Sequence, residues 1–147
     1  MPNKKYLLVL CLFFSLTNLV AQDWLTDFTA AKELAAVDNK PIILVFQGSD
    51  WCAPCIKLDR NIWQSEAFKK YAAQHYIMLL ADFPRKKKNA LSDAQTTANA
   101  LLAEAYNPKG NFPLVVVLDA AGKVLGKTGY KKTTPEKYIA SLNTFIQ

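Results

Sequence analysis

Two of the chain's three cysteines stand three positions apart, in Ser49-Asp50-Trp51-Cys52-Ala53-Pro54-Cys55. Two intervening residues let the sulfurs of Cys52 and Cys55 meet, so the pair can cycle between dithiol and disulfide, the arrangement that thiol–disulfide exchange requires. Other uses of the pair fit less well. A purely structural disulfide around so small a loop contributes roughly 2 kcal/mol in the chain-entropy description, against about 3 for a 15-residue loop. A zinc ion needs two further ligands, and the chain offers only Cys11, inside an apolar N-terminal run, and its one histidine, His75. A soft ion such as Cu(I) would want Met or His neighbours that the motif lacks. The pair therefore points to redox chemistry with no metal and no diffusible cofactor.

The elements around the motif explain why these thiols would react. Ile42–Phe46 is an unbroken apolar run and reads as a strand buried on both faces, as in a parallel sheet. Ile56, Leu58, Asp59, Ile62 and Trp63 follow at helical spacing. The cysteines thus fall where a strand ends and a helix begins. Helix N-termini carry N–H groups without internal partners and a partial positive charge, which stabilises a thiolate. Cys52, nearer that terminus and beside Trp51 on an exposed loop, is the expected nucleophile. Cys55, one turn in, is expected to resolve the mixed disulfide. Ala53 and Pro54 support the turn, and Pro54 suits it because its missing N–H has no partner to lose there.

Trp-Cys-x-Pro-Cys after an apolar strand resembles the thioredoxin superfamily. The longer string Phe46-Gln47-Gly48-Ser49-Asp50-Trp51-Cys52 is similar to exported bacterial thioredoxin-like proteins of the thiol:disulfide interchange type, as are Asp82–Lys88 and Phe112-Pro113. The resemblance runs from about Trp24 to the C-terminus. It implies an α/β, thioredoxin-like fold with a central mixed β-sheet flanked by helices. It makes Pro113 the counterpart of the family's cis-proline, opposite the CxxC, with Trp51, Phe112 and Pro113 as the surface that meets substrate. It also exposes a departure. Thioredoxins often carry a buried acid in the strand before the motif, for proton transfer to the inner cysteine. Here that position falls on Val45 or Phe46, neither of which titrates, leaving Asp50, Asp82 or water.

The 147 residues suffice for one domain with a real core. Lys4-Lys5, the apolar run Tyr6–Leu16 and Ala21 read as a signal peptide over residues 1–21, with the thioredoxin-like domain over 22–147; the alternative is an N-terminal membrane anchor. The net charge is +6, and loss of Lys4 and Lys5 leaves +4. Along the domain we expect a helix over Asp23–Asn39 with no strand before it, strands at Ile42–Gln47 and Tyr76–Phe83, and a helix over Glu66–Gln74 ending near a solvated or capping His75. Pro84–Asn89 is a basic loop. Ser92 and Gln95 form a capping box on a helix to about Tyr106 whose core face is Ala94, Ala98, Leu101, Leu102 and Ala105. A hairpin of Leu114–Asp119 and Val124–Gly129 follows, then a helix opened by Thr134-Pro135 that buries Tyr138, Ile139, Leu142, Phe145 and Ile146.

These features describe an exported protein-disulfide oxidoreductase acting on cysteine-containing protein substrates, in the reductase direction in preference to the oxidase one. A periplasmic reductase needs electrons relayed across the membrane, so a membrane thiol–disulfide transporter is the implied partner. A monomer is expected, and nucleic acid is not, because basic and aromatic residues do not interleave. The competing reading is a non-enzymatic thioredoxin-fold module that holds extended chains in the Phe112-Pro113 groove.

Overall fold

The computed structural model describes residues 23–147. The expected signal peptide and Cys11 lie outside them. Five strands form one mixed sheet in the order β1-β3-β2-β4-β5. They are β1 (Trp24–Leu25), β2 (Ile42–Gln47), β3 (Ile77–Asp82), β4 (Leu114–Leu118) and β5 (Val124–Thr128). β2 is central, parallel to β3 and antiparallel to β4. Its residues Ile42–Phe46 are completely buried because helices cover both faces. Ile43 and Val45 point into a core with Leu58, Ile62, Trp63, Phe68 and Tyr138. Ile42, Leu44 and Phe46 point into the other, with Ala31, Ala35 and Leu102.

The helices are α1 (Phe28–Asp38), α2 (Ala53–Leu58), α3 (Glu66–His75), α4 (Asp93–Tyr106) and α5 (Pro135–Asn143). α2 runs on into a π-helical turn, Asp59–Trp63, marked by the five-residue bond from Gln64 N–H to Asp59 C=O at 2.9 Å. α5 starts as expected, with Thr134 Oγ1 accepting from Lys137 N–H and Pro135 at the first helical position. It buries Tyr138, Ile139 and Leu142. Phe145 and Ile146 lie just past its end and are half-buried, and the Phe145 ring rests on Gly126 of β5, where a Cβ would collide with it.

Three expectations give way. The first helix does not start at Asp23. Trp24 and Leu25 form a strand parallel to Met78 and Leu79, and Asp27 Oδ1 then accepts from Thr29 N–H (2.7 Å) and Ala30 N–H (3.1 Å), fixing the helix start at Phe28. The Ser92–Gln95 capping box is half formed. Ser92 Oγ accepts from Gln95 N–H, but the Gln95 amide donates to Thr26 C=O and Asn99 Oδ1 instead of returning to the cap. The core face of α4 is also turned. Asn99 and Leu102 are buried, while Ala94, Ala98, Leu101 and Ala105 are exposed, Leu101 by 61%. Asn99 Nδ2 donates to Asp82 C=O at 2.9 Å. That bond docks Gln95, Asn99, Leu102 and Tyr106 as the inner stripe, one residue along from the apolar stripe that periodicity picks out.

Candidate active site at the Cys52–Cys55 disulfide

β2 delivers the chain to the sheet's C-terminal edge, where Gly48 turns it. Trp51 N–H and Cys52 N–H both donate to Gly48 C=O, at 3.3 and 2.9 Å. The Trp51 indole folds back over Gly48 so closely that a Cβ there would overlap the ring, so only glycine allows this turn. Cys52 is the N-cap of α2 in extended conformation, its sulfur accepting from Cys55 N–H at 3.3 Å. Cys52 and Cys55 are joined as a disulfide with their Cα atoms 5.2 Å apart. Cys52 is 4% exposed and Cys55 2%. The loop-exposed Cys52 expected from sequence is therefore covered, and Ala53, Pro54 and Ile56 carry the local exposure instead. Trp51 folds inward over Gly48 and does not project from the turn.

Trp51 is held from several directions. Its Nε1–H donates to Phe83 C=O at 2.7 Å. Its ring meets Phe112 edge-on at 5.4 Å, and Phe112 meets Phe83 at the same separation. The Arg85 guanidinium sits 3.7 Å from the indole centroid, a cation–π contact. The Phe112–Pro113 peptide is cis. Pro113 immediately precedes β4, whose Leu114 pairs with Phe46, so it lies beside the end of β2 from which the CxxC turn departs. Trp51 and Phe112 are thus in contact, and the chain on either side of them carries Cys52 and Pro113.

The two carboxylates of this region are committed elsewhere. Asp82 Oδ1 accepts from Ser49 N–H (2.9 Å) and Oδ2 from Ser49 Oγ–H (2.6 Å). Asp50 accepts from Arg85 N–H (2.9 Å), Lys86 N–H (3.0 Å) and Asn89 Nδ2 (2.9 Å). Those donors, with the Arg85 N–H foremost and the Lys86 charge adding to them, hold the Asp50 carboxyl down at about 2. Between the two candidates for the missing buried acid, Val45 is the one on the face that α2 covers, and Phe46 faces the opposite core. His75 lies exposed at the end of α3, stacked on Tyr71 at 4.1 Å. It sits at the start of β3, a six-residue strand, roughly 20 Å at strand spacing, from the edge where the disulfide lies.

The bracing residues Asp50, Ser49, Asp82, Phe83 and Arg85 were not chosen as site residues from sequence. Their partners lie 32–39 positions away, a separation that no local pattern reports. Among the described residues, no helix is long and apolar enough to cross a membrane.

Residues 23–120 match a protein family described as thioredoxin-like. The chain is 37% identical over 121 residues to the "Disulfide bond reductase DsbH" of Chlamydia pneumoniae, covering 82% of this chain and 71% of that protein. It is similar to the solved structure of a "DsbH Oxidoreductase", with a TM-score of 0.77 and 34% identity over 90% of this chain and 92% of the other. A thioredoxin from Thermus thermophilus, at 13% identity and a TM-score of 0.63 over 86% of this chain and 88% of the other, shares the fold. With the CxxC disulfide at the start of α2 and a cis-proline at the start of β4, these likenesses establish that the chain belongs to the thioredoxin-like family and is a thiol–disulfide oxidoreductase within it.

Proposed function

We propose that the protein is an exported protein-disulfide reductase whose catalytic residues are Cys52 and Cys55. The observation that carries the reading is the Cys52–Cys55 disulfide at the start of α2, on the edge that also bears cis-Pro113. The relative named a disulfide bond reductase supports the direction. In the reduced protein, the Cys52 thiolate attacks one sulfur of a substrate disulfide. A Cys52–substrate disulfide forms, and the substrate's other sulfur leaves as a thiolate and takes a proton from water. The Cys55 thiolate then attacks the Cys52 sulfur, restoring the internal disulfide and releasing the second substrate thiolate. Two electrons pass from the protein dithiol to the substrate disulfide.

Trp51, Phe112 and Pro113 form the surface against which the substrate segment lies, with Ala53 and Pro54 shaping the turn. Lys4-Lys5 and the apolar run after them support export with cleavage after Ala21. Outside the cytosol the dithiol is regenerated by a membrane thiol–disulfide transporter. Purified protein supplied with a small dithiol is expected to reduce protein disulfides. Cys52→Ser removes turnover, and Cys55→Ser accumulates mixed disulfides that a reductant dissolves. Full turnover by Cys52→Ser, or no turnover by the wild type, contradicts the reading. Mass spectrometry of the protein from its own host is expected to find Gln22 at the N-terminus, and a soluble cytosolic chain starting at Met1 excludes export.

A further inference from the structure

The basic loop is not simply a solvated run. Arg85, Lys86, Lys87 and Lys88 are all exposed, and none of them has a carboxylate within ion-pair distance among the described residues. The loop is tied to the CxxC segment itself. Asp50, two residues before Cys52, receives the N–H groups of Arg85 and Lys86 and the side-chain amide of Asn89, and Arg85 lies on the ring of Trp51. Asp50 supplies one negative charge to the loop, but its oxygens are taken up by the Arg85 and Lys86 N–H groups, and those of Asp82 by Ser49. The loop thus carries four cations, none in an ion pair among the described residues, on a backbone tied to the CxxC turn, with Arg85 held against Trp51.

We propose that this loop is a docking surface for acidic protein segments. Resting on the reductase reading above, it gives the substrate class as disulfides flanked by Asp or Glu within about four residues. At physiological salt the screening length is about 8 Å, so only charges near the exchanging sulfur would feel the loop. A cationic rim of this kind raises encounter rates with anionic partners about tenfold or more, and the gain falls with salt. An anionic membrane is the other surface that would attract cations. A protein segment fits better, because the loop is built around Trp51 and the disulfide and carries no exposed large apolar residue to enter lipid.

The test uses two disulfide-linked peptides, identical except that Asp and Glu beside the cysteines in one are Asn and Gln in the other. The acidic peptide is expected to show a kcat/KM about tenfold higher at about 20 mM salt, with the ratio approaching one at about 500 mM. The triple substitution Lys86→Gln, Lys87→Gln, Lys88→Gln is expected to bring the low-salt ratio to about one. The exposed control Lys70→Gln, Lys109→Gln, Lys123→Gln, which removes the same charge elsewhere, keeps it. Equal rates for both peptides, or equal loss in both triples, overturn the docking surface and leave the reductase reading standing. A second arm needs no turnover. A cysteine-free acidic peptide added to the oxidised protein is expected to shift the Trp51 indole NMR signal, and its amide counterpart is not. If neither disulfide peptide is reduced, the reductase reading fails and this shift still decides the docking surface. No shift, or binding to phosphatidylglycerol vesicles through Lys86–Lys88 without a response to the acidic peptide, overturns it.

Discussion

The two sides of the disulfide are built from different materials. On the outer side, before Cys52, nearly every polar group has a long-range partner: Ser49 with Asp82, Asp50 with the Arg85–Asn89 loop, and Trp51 with Phe83 C=O. On the inner side Cys55 is followed by Leu58, Ile62 and Trp63, packed in the apolar core that Val45 also enters. Carboxylates in this chain brace the outer half, and aliphatic side chains fill the face under α2. The difference separates two jobs. Hydrogen bonds across 30 or more residues fix where Cys52 and Trp51 sit, while the helix that carries Cys55 is held by burial and by its local bonds to Cys52.

The comparison breaks hardest at Val45. Val45→Asp puts a carboxyl into a fully buried site and is expected to cost about 2–3 kcal/mol at neutral pH. Burial raises that acid's pKa, so the cost grows as pH rises above the unfolded value near 3.9 and is smaller at pH 4. Denaturant midpoints at the two pH values measure it; an equal cost at both would mean that water reaches this face.

On the outer side, Trp51→Ala removes the ring that joins Phe112, Phe83 C=O and Arg85. Turnover is expected to fall about tenfold, equivalent to about 1.4 kcal/mol of lost transition-state stabilisation. Trp51→Phe keeps the ring packing and loses one hydrogen bond, about 1 kcal/mol of stability. Steady-state kinetics and thermal unfolding of the pair separate packing from hydrogen bonding, and identical behaviour would show that the indole N–H is not a brace.

Asp50 gives a smaller and pH-dependent effect. Its folded-state pKa of about 2 lies below the ordinary 3.8. The order it lends to the basic loop is therefore present above about pH 3.8 and lost as pH falls through about 2. The Arg85 and Lys86 amide shifts are expected to titrate with a midpoint near 2, and Asp50→Asn to abolish that titration. A midpoint at 3.8 would mean that the N–H groups do not favour the ionised form.

The smallest difference concerns the cysteines themselves, which are almost equally buried. In the reduced protein Cys52, as the helix N-cap, is expected to be alkylated first and at lower pH. Peptide mapping reads the order, and Cys55 reacting first would reverse the two roles.

Much of this was legible in the sequence, and the reason is local. The apolar run of β2, the Thr134 cap and the strand–CxxC–helix junction each sit within a few residues of the groups that cause them. What the sequence hid depends on distant partners. α4 shows an apolar stripe at Ala94, Ala98, Leu101, Leu102 and Ala105, yet with Asn99 bonded to the end of β3 only Leu102 of that stripe is buried. β1 is two residues long and exists because Met78 and Leu79 offer it an edge. The seating of Trp51 beside Cys52 likewise depends on Phe83 and Phe112, 32 and 61 positions from Trp51. The burial of Cys52 and the acid braces both lie beyond what neighbouring residues report.

The π turn at Asp59–Trp63 carries a consequence for phase. An α-helix advances about 100° per residue, so one residue inserted into a turn shifts every side chain beyond it by about that angle. Here the Gln64-to-Asp59 bond admits one residue more than an α-turn holds, and both Ile62 and Trp63 reach the interior. The last turn of this helix is thereby offset in phase from its first. Where Cys55 points is set by the CxxC turn, and where Trp63 points is set by Phe68 and Tyr138 at 4.6 and 5.4 Å. The chain's largest core side chain can thus be seated without rotating the Cys55 sulfur away from Cys52.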